Sequence, residues 1–338
     1  MIIRSKAPLR LDFCGGGTDI APFTDTHGGI VFNATINRYA YCTIMDSSKS
    51  ESTIHSIDYN NITSFSSIDD LVFDGNLDLI KAVIKRMSKY GNLNRPVDII
   101  IHSDAPPGSG LGSSSAVCVA LVAALARYFN LTLKKAEIAK LAYDIERIDL
   151  LIPGGLQDQY TAAYGGFNFM GFGRDKSVVL NPLRIDPDII NELLYHLVLI
   201  DVGKAHSDGI LDEQAENLKR EDVIPYYIHM KRNAMDMKDA LLDTNCALFG
   251  RLLNDTYLTK QKICSRITDG RIASVYDIAM ECGASAGHIQ GAGGGGHMLF
   301  YVNSEQRRKQ LEEELTSIGC KVVPFSFEPN GVETWVVL

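Results

Sequence analysis

Pro106-Pro107-Gly108-Ser109-Gly110-Leu111-Gly112-Ser113-Ser114-Ser115-Ala116 lies between a β-prone run, Pro96 to His102, and a strongly apolar run from about Ser113 to Phe129. The order is strand, glycine loop, buried helix. Glycines at 108, 110 and 112 exceed what a turn requires. Without a Cβ the backbone can turn its N–H groups inward and approach a ligand closely. The helix that follows adds unpaired N–H groups and about half a positive charge at its N-terminus, which favours an anion. Its serines offer hydroxyls as caps or as ligands for Mg, a hard, oxygen-seeking cation. Pro107, Gly108, Ser109, Gly110, Leu111, Gly112, Ser113, Ser114 and Ser115 therefore read as a phosphate cradle. The lysine of the G-x-x-x-x-G-K-[ST] loop is missing, so this is a different construction. A strand-to-helix turn capped by serine is the competing reading.

A second glycine turn stands near the N-terminus. Lys6-Ala-Pro-Leu-Arg10-Leu-Asp-Phe-Cys-Gly15-Gly16-Gly17-Thr18-Asp19 places a cation on a strand and a carboxylate just past a sharp bend. A fixed carboxylate such as Asp19 can accept from the vicinal hydroxyls of a sugar. An Asx-turn in an ordinary loop is equally compatible with Asp19 taken alone.

Further along, strands are expected over 1–13, 30–46, 166–172, 178–185, 195–202, 297–302, 321–327 and 332–337, with shorter strands in 51–75. Helical spacing predicts helices near Leu77 to Met87, over 134–148, and over about 208–220, 226–243, 271–281 and 304–318. A chain of 338 residues is long for one core, and a boundary is expected near residue 183.

Composition narrows the class. Hydrophobic residues at 46% and charged residues at 22% are ordinary for a globular protein. The N-terminus lacks signal-peptide character, and the apolar run Ala116 to Ala126 is far short of the roughly 20 residues that span a bilayer. Seven scattered cysteines without a C-x-x-C pair read as reduced thiols, so a cytoplasmic location is expected. A net charge of −8 disfavours nucleic acid and anionic membrane surfaces as partners.

Pro8-x-Arg10 with Gly-Gly-Thr-Asp19, followed about a hundred residues later by Pro107-Gly-Ser-Gly-Leu-Gly-Ser-Ser114, resembles the GHMP kinases. The resemblance implies an α+β, two-domain GHMP kinase fold. Residues 1–183 would form an ATP-binding, ribosomal protein S5 domain 2-like α/β domain, and residues 184–338 a ferredoxin-like α/β domain. It also implies ATP and Mg²⁺ as cofactors. Glu146 matches the family's Mg-binding glutamate, with Ser114 as a second ligand. Asp158, in Gly154-Gly155-Leu156-Gln157-Asp158-Gln159, matches its catalytic base, and Arg10 its cation beside the transferred phosphoryl group. Such a set suffices for phosphoryl transfer, with a cradle for the triphosphate, a carboxylate for the acceptor proton and a cation for the developing charge.

Gly291-Ala-Gly293-Gly294-Gly295-Gly296 satisfies G-x-G-x-x-G, yet it precedes a strand, whereas a dinucleotide loop follows one and opens a helix. It resembles the third GHMP motif, a C-terminal glycine loop packed on the phosphate loop. His288 stands where related sequences often have lysine and would give a weaker, pH-dependent cation.

Galactokinases carry Gly-Glu-His-Thr-Asp where this chain has Gly15-Gly16-Gly17-Thr18-Asp19, so two polar contacts are missing and space should be gained. The pattern from Arg10 to Phe23, with Gly154 to Tyr160, looks most like bacterial D-glycero-D-manno-heptose 7-phosphate kinases, which act on a small-molecule sugar phosphate at its anomeric hydroxyl. Gly17, Thr18, Asp19 and Gln157 are the expected sugar contacts. A substrate that already carries phosphate needs a second anion site, for which Lys204, His206, Arg38 and Arg174 are candidates. A fucose-type or other sugar 1-kinase ranks second, and a catalytically silent sugar and ATP sensor third.

Overall fold

The computed structural model describes residues 1–203 and 209–337. Among the described residues there are twelve strands, numbered in chain order: β1 (Ile2–Cys14), β2 (Gly29–Asp46), β3 (Ser52–Ser56), β4 (Asn61–Phe65), β5 (Val97–Ser103), β6 (Phe167–Phe172), β7 (Val178–Pro182), β8 (Leu197–Gly203), β9 (Ala284–Ile289), β10 (Gly296–Val302), β11 (Lys321–Val322) and β12 (Glu333–Val337).

The first sheet runs β12-β1-β2-β5-β3-β4, and β6 and β7 continue from the first half of the long β2. β1 pairs with β2 nearly end to end, with register shifts at Pro8/Leu9 and Asp12/Cys14. Along β1, Leu9, Leu11 and Phe13 enter the core. The alternation of two then gives Arg10 and Asp12 to the opposite face, where they line a cleft. The helix Ser113–Tyr128 is apolar on every side and buried from Val119 through Ala126, as a helix inside a core must be.

The second sheet is antiparallel throughout, in the order β11-β8-β10-β9. In chain order its strands stand fourth, first, third, second, the ferredoxin-like arrangement. The two halves meet in a shared core, where the Phe13 ring lies 5.1 Å from that of Phe249 on the helix Cys246–Ile263, and a second core cluster lies on the other face of the second sheet around Val198, Ile200, Met298 and Phe300. A cut at residue 183 separates the sheets except at one place. The chain returns at its end so that β12 pairs with β1, from Ile2 opposite Val337 to Lys6 opposite Glu333.

Several elements differ from the expectations. Helices occupy Gln157–Tyr164, Pro187–His196 and Cys246–Ile263, and β9 is a strand, none of which was anticipated. The second of these helices has a start signal in Asp186, whose side chain caps Asp188 N–H, followed by Pro187. The expected helix over 134–148 ends at Asp144 and widens into a π turn, Ile145–Asp149. The strand expected over 321–327 shrinks to two residues. Among the described residues no helix is long and apolar enough to cross a membrane, and all seven cysteines are free and buried.

Candidate active site

Gly108, Gly110 and Gly112 all have left-handed backbone, with φ of 79°, 77° and 72°. That run of inverted residues turns the loop around the N-terminus of the helix Ser113–Tyr128. Gly110 leaves no room for a side chain, because a Cβ there would stand 2.5 Å from the carbonyl oxygen of Gln290. The loop is also zipped to β1: the Arg10 N–H donates to Leu111 O at 3.0 Å.

Arg10 is the junction of the site. Its Nε donates to Asp158 Oδ1 at 2.8 Å and its Nη2 to Asp158 Oδ2 at 3.1 Å, a bidentate pair. The remaining Nη1 donates to the carbonyl of Gly110. Burial alone would weaken the guanidinium charge, but Asp158, with Asp12 and Asp19 farther off, outweighs it and raises the pKa above its ordinary value. Asp158 sits in the first turn of the helix Gln157–Tyr164 and keeps 21% side-chain exposure toward the cleft.

Glu146 is fixed by the π turn and is 1% exposed. Ser114 Oγ donates to its Oε1 at 3.0 Å and Ser115 Oγ to its Oε2 at 2.7 Å. Gln159 Nε2 donates to the same Oε2 at 2.5 Å. Among the described residues no group of three His, Cys, Asp or Glu could hold a metal ion. One carboxylate with one hydroxyl at the mouth of a phosphate loop nevertheless fits Mg, which is commonly shared between one or two carboxylates, substrate phosphates and water.

Asp19 accepts from Gly17 N–H and from Gln157 N–H, each at 3.0 Å. Burial pushes its carboxyl up to about 6, against the pull of these two donors. Gly155 lies so close that a Cβ would stand 1.9 Å from Asp19 Oδ2. Gly17, Asp19 and Gln157 line the cleft with Arg10 and Asp158. Thr18 does not. Its hydroxyl is fully buried, 2.7 Å from Gly15 O and 2.8 Å from Ile30 O, where it braces the turn. Leu111 likewise belongs to the core. Pro107 and Ser109 face neighbouring pockets.

The space expected beside Gly16 and Gly17 is taken. A Cβ on Gly16 would meet Asp12 Oδ2 at 2.4 Å, and one on Gly17 would meet the Tyr227 ring at 3.1 Å. Lys204 and His206 lie outside the described residues. Arg38 donates to Pro324 O at 2.7 Å, and neither it nor Arg174 lines the cleft.

The C-terminal glycine loop lies against the phosphate loop. A Cβ on Gly291 would stand 2.9 Å from Gly110 Cα, and one on Gly296 would stand 2.5 Å from Ser109 O. Gly291 and Gly293 line the cleft, whereas Gly294 and Gly295 do not. His288 is wholly buried with both ring nitrogens unpartnered. Burial, and then Lys260 and Arg10, hold its pKa well below the usual value, so the ring is neutral.

Three cleft residues, Asp12, Arg147 and Lys260, and the buried Gln290 behind them went unread in the sequence. Asp12 Oδ2 is 3.2 Å from Lys260 Nζ, which also donates to Gly291 O at 3.1 Å. Gln290 holds the backbone of Asp12 from both sides, accepting its N–H at 2.8 Å and donating to its carbonyl at 3.2 Å. Arg147 braces the turn before Asp158 through Ile152 O at 3.3 Å and Gly155 O at 3.4 Å. Two signals were available. The alternation of β1 puts Asp12 beside Arg10, and Phe249, Leu253, Thr256 and Lys260 share a face at helical spacing.

Among the described lining residues, Asp12, Asp19, Glu146 and Asp158 outnumber Arg10, Arg147 and Lys260. Net charge therefore cannot draw a polyanion in. Inverted amides, a helix N-terminus and a site for a hard cation can.

Sequence and fold both have relatives among known proteins. Residues 78–166 match the model for the GHMP kinases N terminal domain and residues 237–320 that for the GHMP kinases C terminal region. The chain is 37% identical over 336 residues to a D-glycero-alpha-D-manno-heptose 7-phosphate kinase of Campylobacter jejuni subsp. jejuni serotype O:2, covering 98% of each. A crystal structure of a D-glycero-D-manno-heptose 1-phosphate kinase from Bacteroides thetaiotaomicron superposes with a TM-score of 0.85 at 35% identity, over 99% of both chains. The Lactococcus lactis galactokinase complexed with galactose shares the fold at a TM-score of 0.76 and 17% identity, over 98% of this chain and 95% of that one. With a full-length relative above a third identical and both halves matched, the chain belongs to the GHMP kinase family of ATP-dependent phosphotransferases.

Proposed function

We propose that the protein transfers the γ-phosphoryl group of ATP to the anomeric hydroxyl of D-glycero-D-manno-heptose 7-phosphate, as the name of the Campylobacter relative suggests. The observation that carries the reading is the bidentate Arg10–Asp158 pair, tied through Arg10 to the Gly110 carbonyl. One guanidinium thereby joins the phosphate loop to the carboxylate that receives the acceptor proton. Phosphoryl transfer consists mainly of positioning and charge stabilisation, and this junction supplies both.

The triphosphate lies along the amides of 108–112 and the start of the helix at Ser113. The base occupies the adjoining pocket lined by Tyr59, Leu77, Leu79 and Val117, which shares Ser113 and Ser114 with the cleft. Glu146 and Ser114 would hold Mg, whose charge offsets that of the phosphates when bound. Gly17, Asp19 and the backbone of Gln157 orient the sugar, and Asp158 steers its hydroxyl toward the γ-phosphorus. The division of labour follows the two halves, with residues up to about 183 carrying the nucleotide and the remainder closing the cleft through Gly291 and Gly293.

The test is coupled ADP release across galactose, fucose, mannose, mevalonate, homoserine and heptose 7-phosphate, with phosphorus NMR to locate the new ester. Turnover restricted to heptose 7-phosphate, with the ester on the anomeric oxygen and loss of rate on chelation of Mg, is expected. Turnover only with an unphosphorylated sugar overturns the assignment.

A further inference from the structure

Lys260 is, with Arg147, one of two cleft cations among the described residues to which the proposed transfer gives no role. It projects from the helix Cys246–Ile263 in the second half of the chain, and its side chain is only 6% exposed. A lysine taken out of water needs partners to stay charged. This one has two, and they lie on different parts of the site. Asp12 stands on β1 two residues from Arg10, and its carboxylate is 3.2 Å away. The carbonyl of Gly291, in the glycine loop packed on Gly110, is 3.1 Å away.

Nearby groups cannot substitute for it. His288 is neutral and makes no hydrogen bond, and Arg10 is committed to Asp158 and Gly110. Asp12 Oδ1 has no hydrogen-bond partner either, and Lys260 is the only cation in ion-pair contact with Asp12 among the described residues. Gly16 is closed to any side chain by that same carboxylate, so the pair also forms the floor of the first glycine turn.

We propose that Lys260 is a positioning residue for phosphoryl transfer: through Asp12 and the Gly291 carbonyl it clamps the C-terminal glycine loop onto the phosphate loop, in register with the strand that carries Arg10. The proposal rests on the kinase reading for its kinetic consequence, but the clamp itself is a physical claim that can be measured without turnover. Misplacement by about 1 Å at a reacting centre can cost on the order of 10²-fold in rate. Losing the clamp should act on that scale.

Two variants of the full chain test it, Lys260→Met alone and Lys260→Met combined with Asp12→Asn. The double variant leaves no buried charge unpaired, so it stays interpretable if the single one fails to fold. Hydrogen exchange followed by mass spectrometry reads the clamp directly. Faster exchange over 291–296 and 108–112, with the rest of the first sheet unchanged, is expected in whichever variant folds, and unchanged exchange there overturns the proposal. Turnover is then measured with Mg-ATP and heptose 7-phosphate varied separately. The expected result is a fall in kcat of about 10²-fold with both KM values within about threefold of the native protein. A double variant that regains native stability and also native kcat would mean that Lys260 merely balances charge, and would sink the idea. Absence of turnover by the native chain sinks the kinase reading alone, because the exchange comparison still decides the clamp.

Discussion

Asp19 and Asp158 face the same cleft and differ in what holds them. Asp158 gives both oxygens to one guanidinium, whereas Asp19 is buried with two backbone donors and, among the described residues, forms no ion pair. Burial lifts the Asp19 carboxyl from 3.8 to about 6. Between those values the native protein binds a proton that the unfolded chain does not, so stability falls as pH rises through that window. Asp19→Asn should remove this part of the slope, read as the difference between native and variant melting curves from pH 4 to 6. The same titration governs the sugar, since only the ionised carboxylate accepts from two hydroxyls. KM for the acceptor should rise as pH drops below about 6, and the inflection should vanish in the variant. For Asp158→Asn, kcat should fall by ~10²–10⁴, the usual loss when a general base is removed. A purified variant with near-native turnover would remove Asp158 from that role.

At the scale of elements, the site depends on two glycine loops pressed backbone to backbone. Gly110 has a φ of 77° and meets Gln290 O where its Cβ would be. Gly110→Ala should therefore cost ~1–3 kcal/mol of stability and raise KM for ATP, measured by thermal melts and coupled ADP release. Gly270 is a useful contrast. It opens the helix Gly270–Glu281 with nothing within 4 Å of its Cβ direction, so Gly270→Ala should be neutral or stabilise by ~0.4–1 kcal/mol. The phosphate loop was legible because its special residues lie within eleven consecutive positions. The helix Gln157–Tyr164 was missed because it is short and its apolar residues, Tyr160, Ala162 and Ala163, carry little periodic signal.

Across the whole molecule, the last strand closes the first sheet. β12 pairs with β1 over five residues at its edge, Ile2 to Lys6, and without it those backbone groups would be open to other chains. Truncation before Glu333 should cost ~2–5 kcal/mol, at roughly 0.5–1.5 kcal/mol per hydrogen bond, and promote association. Melting and light scattering would register both effects, and an unchanged midpoint would contradict them. The return of β12 also explains why a boundary drawn at one residue is too simple. Such pairing joins residues more than three hundred positions apart, and no local pattern announces it.

The sequence alone determined the glycine loops and the strands and helices with strong alternation or helical spacing, because each depends on residues close together in the chain, and resemblance to the GHMP kinases singled out Arg10, Asp19, Glu146 and Asp158 as candidates. Tertiary structure alone decided that Arg10 grips Asp158, that Thr18 braces a turn instead of facing the cleft, that Asp12 fills the place beside Gly16, and that Lys260 reaches across from the second half. These are facts of distance between remote segments, set by how the two halves of the chain pack against each other. Side-chain type and local spacing carry no record of that distance.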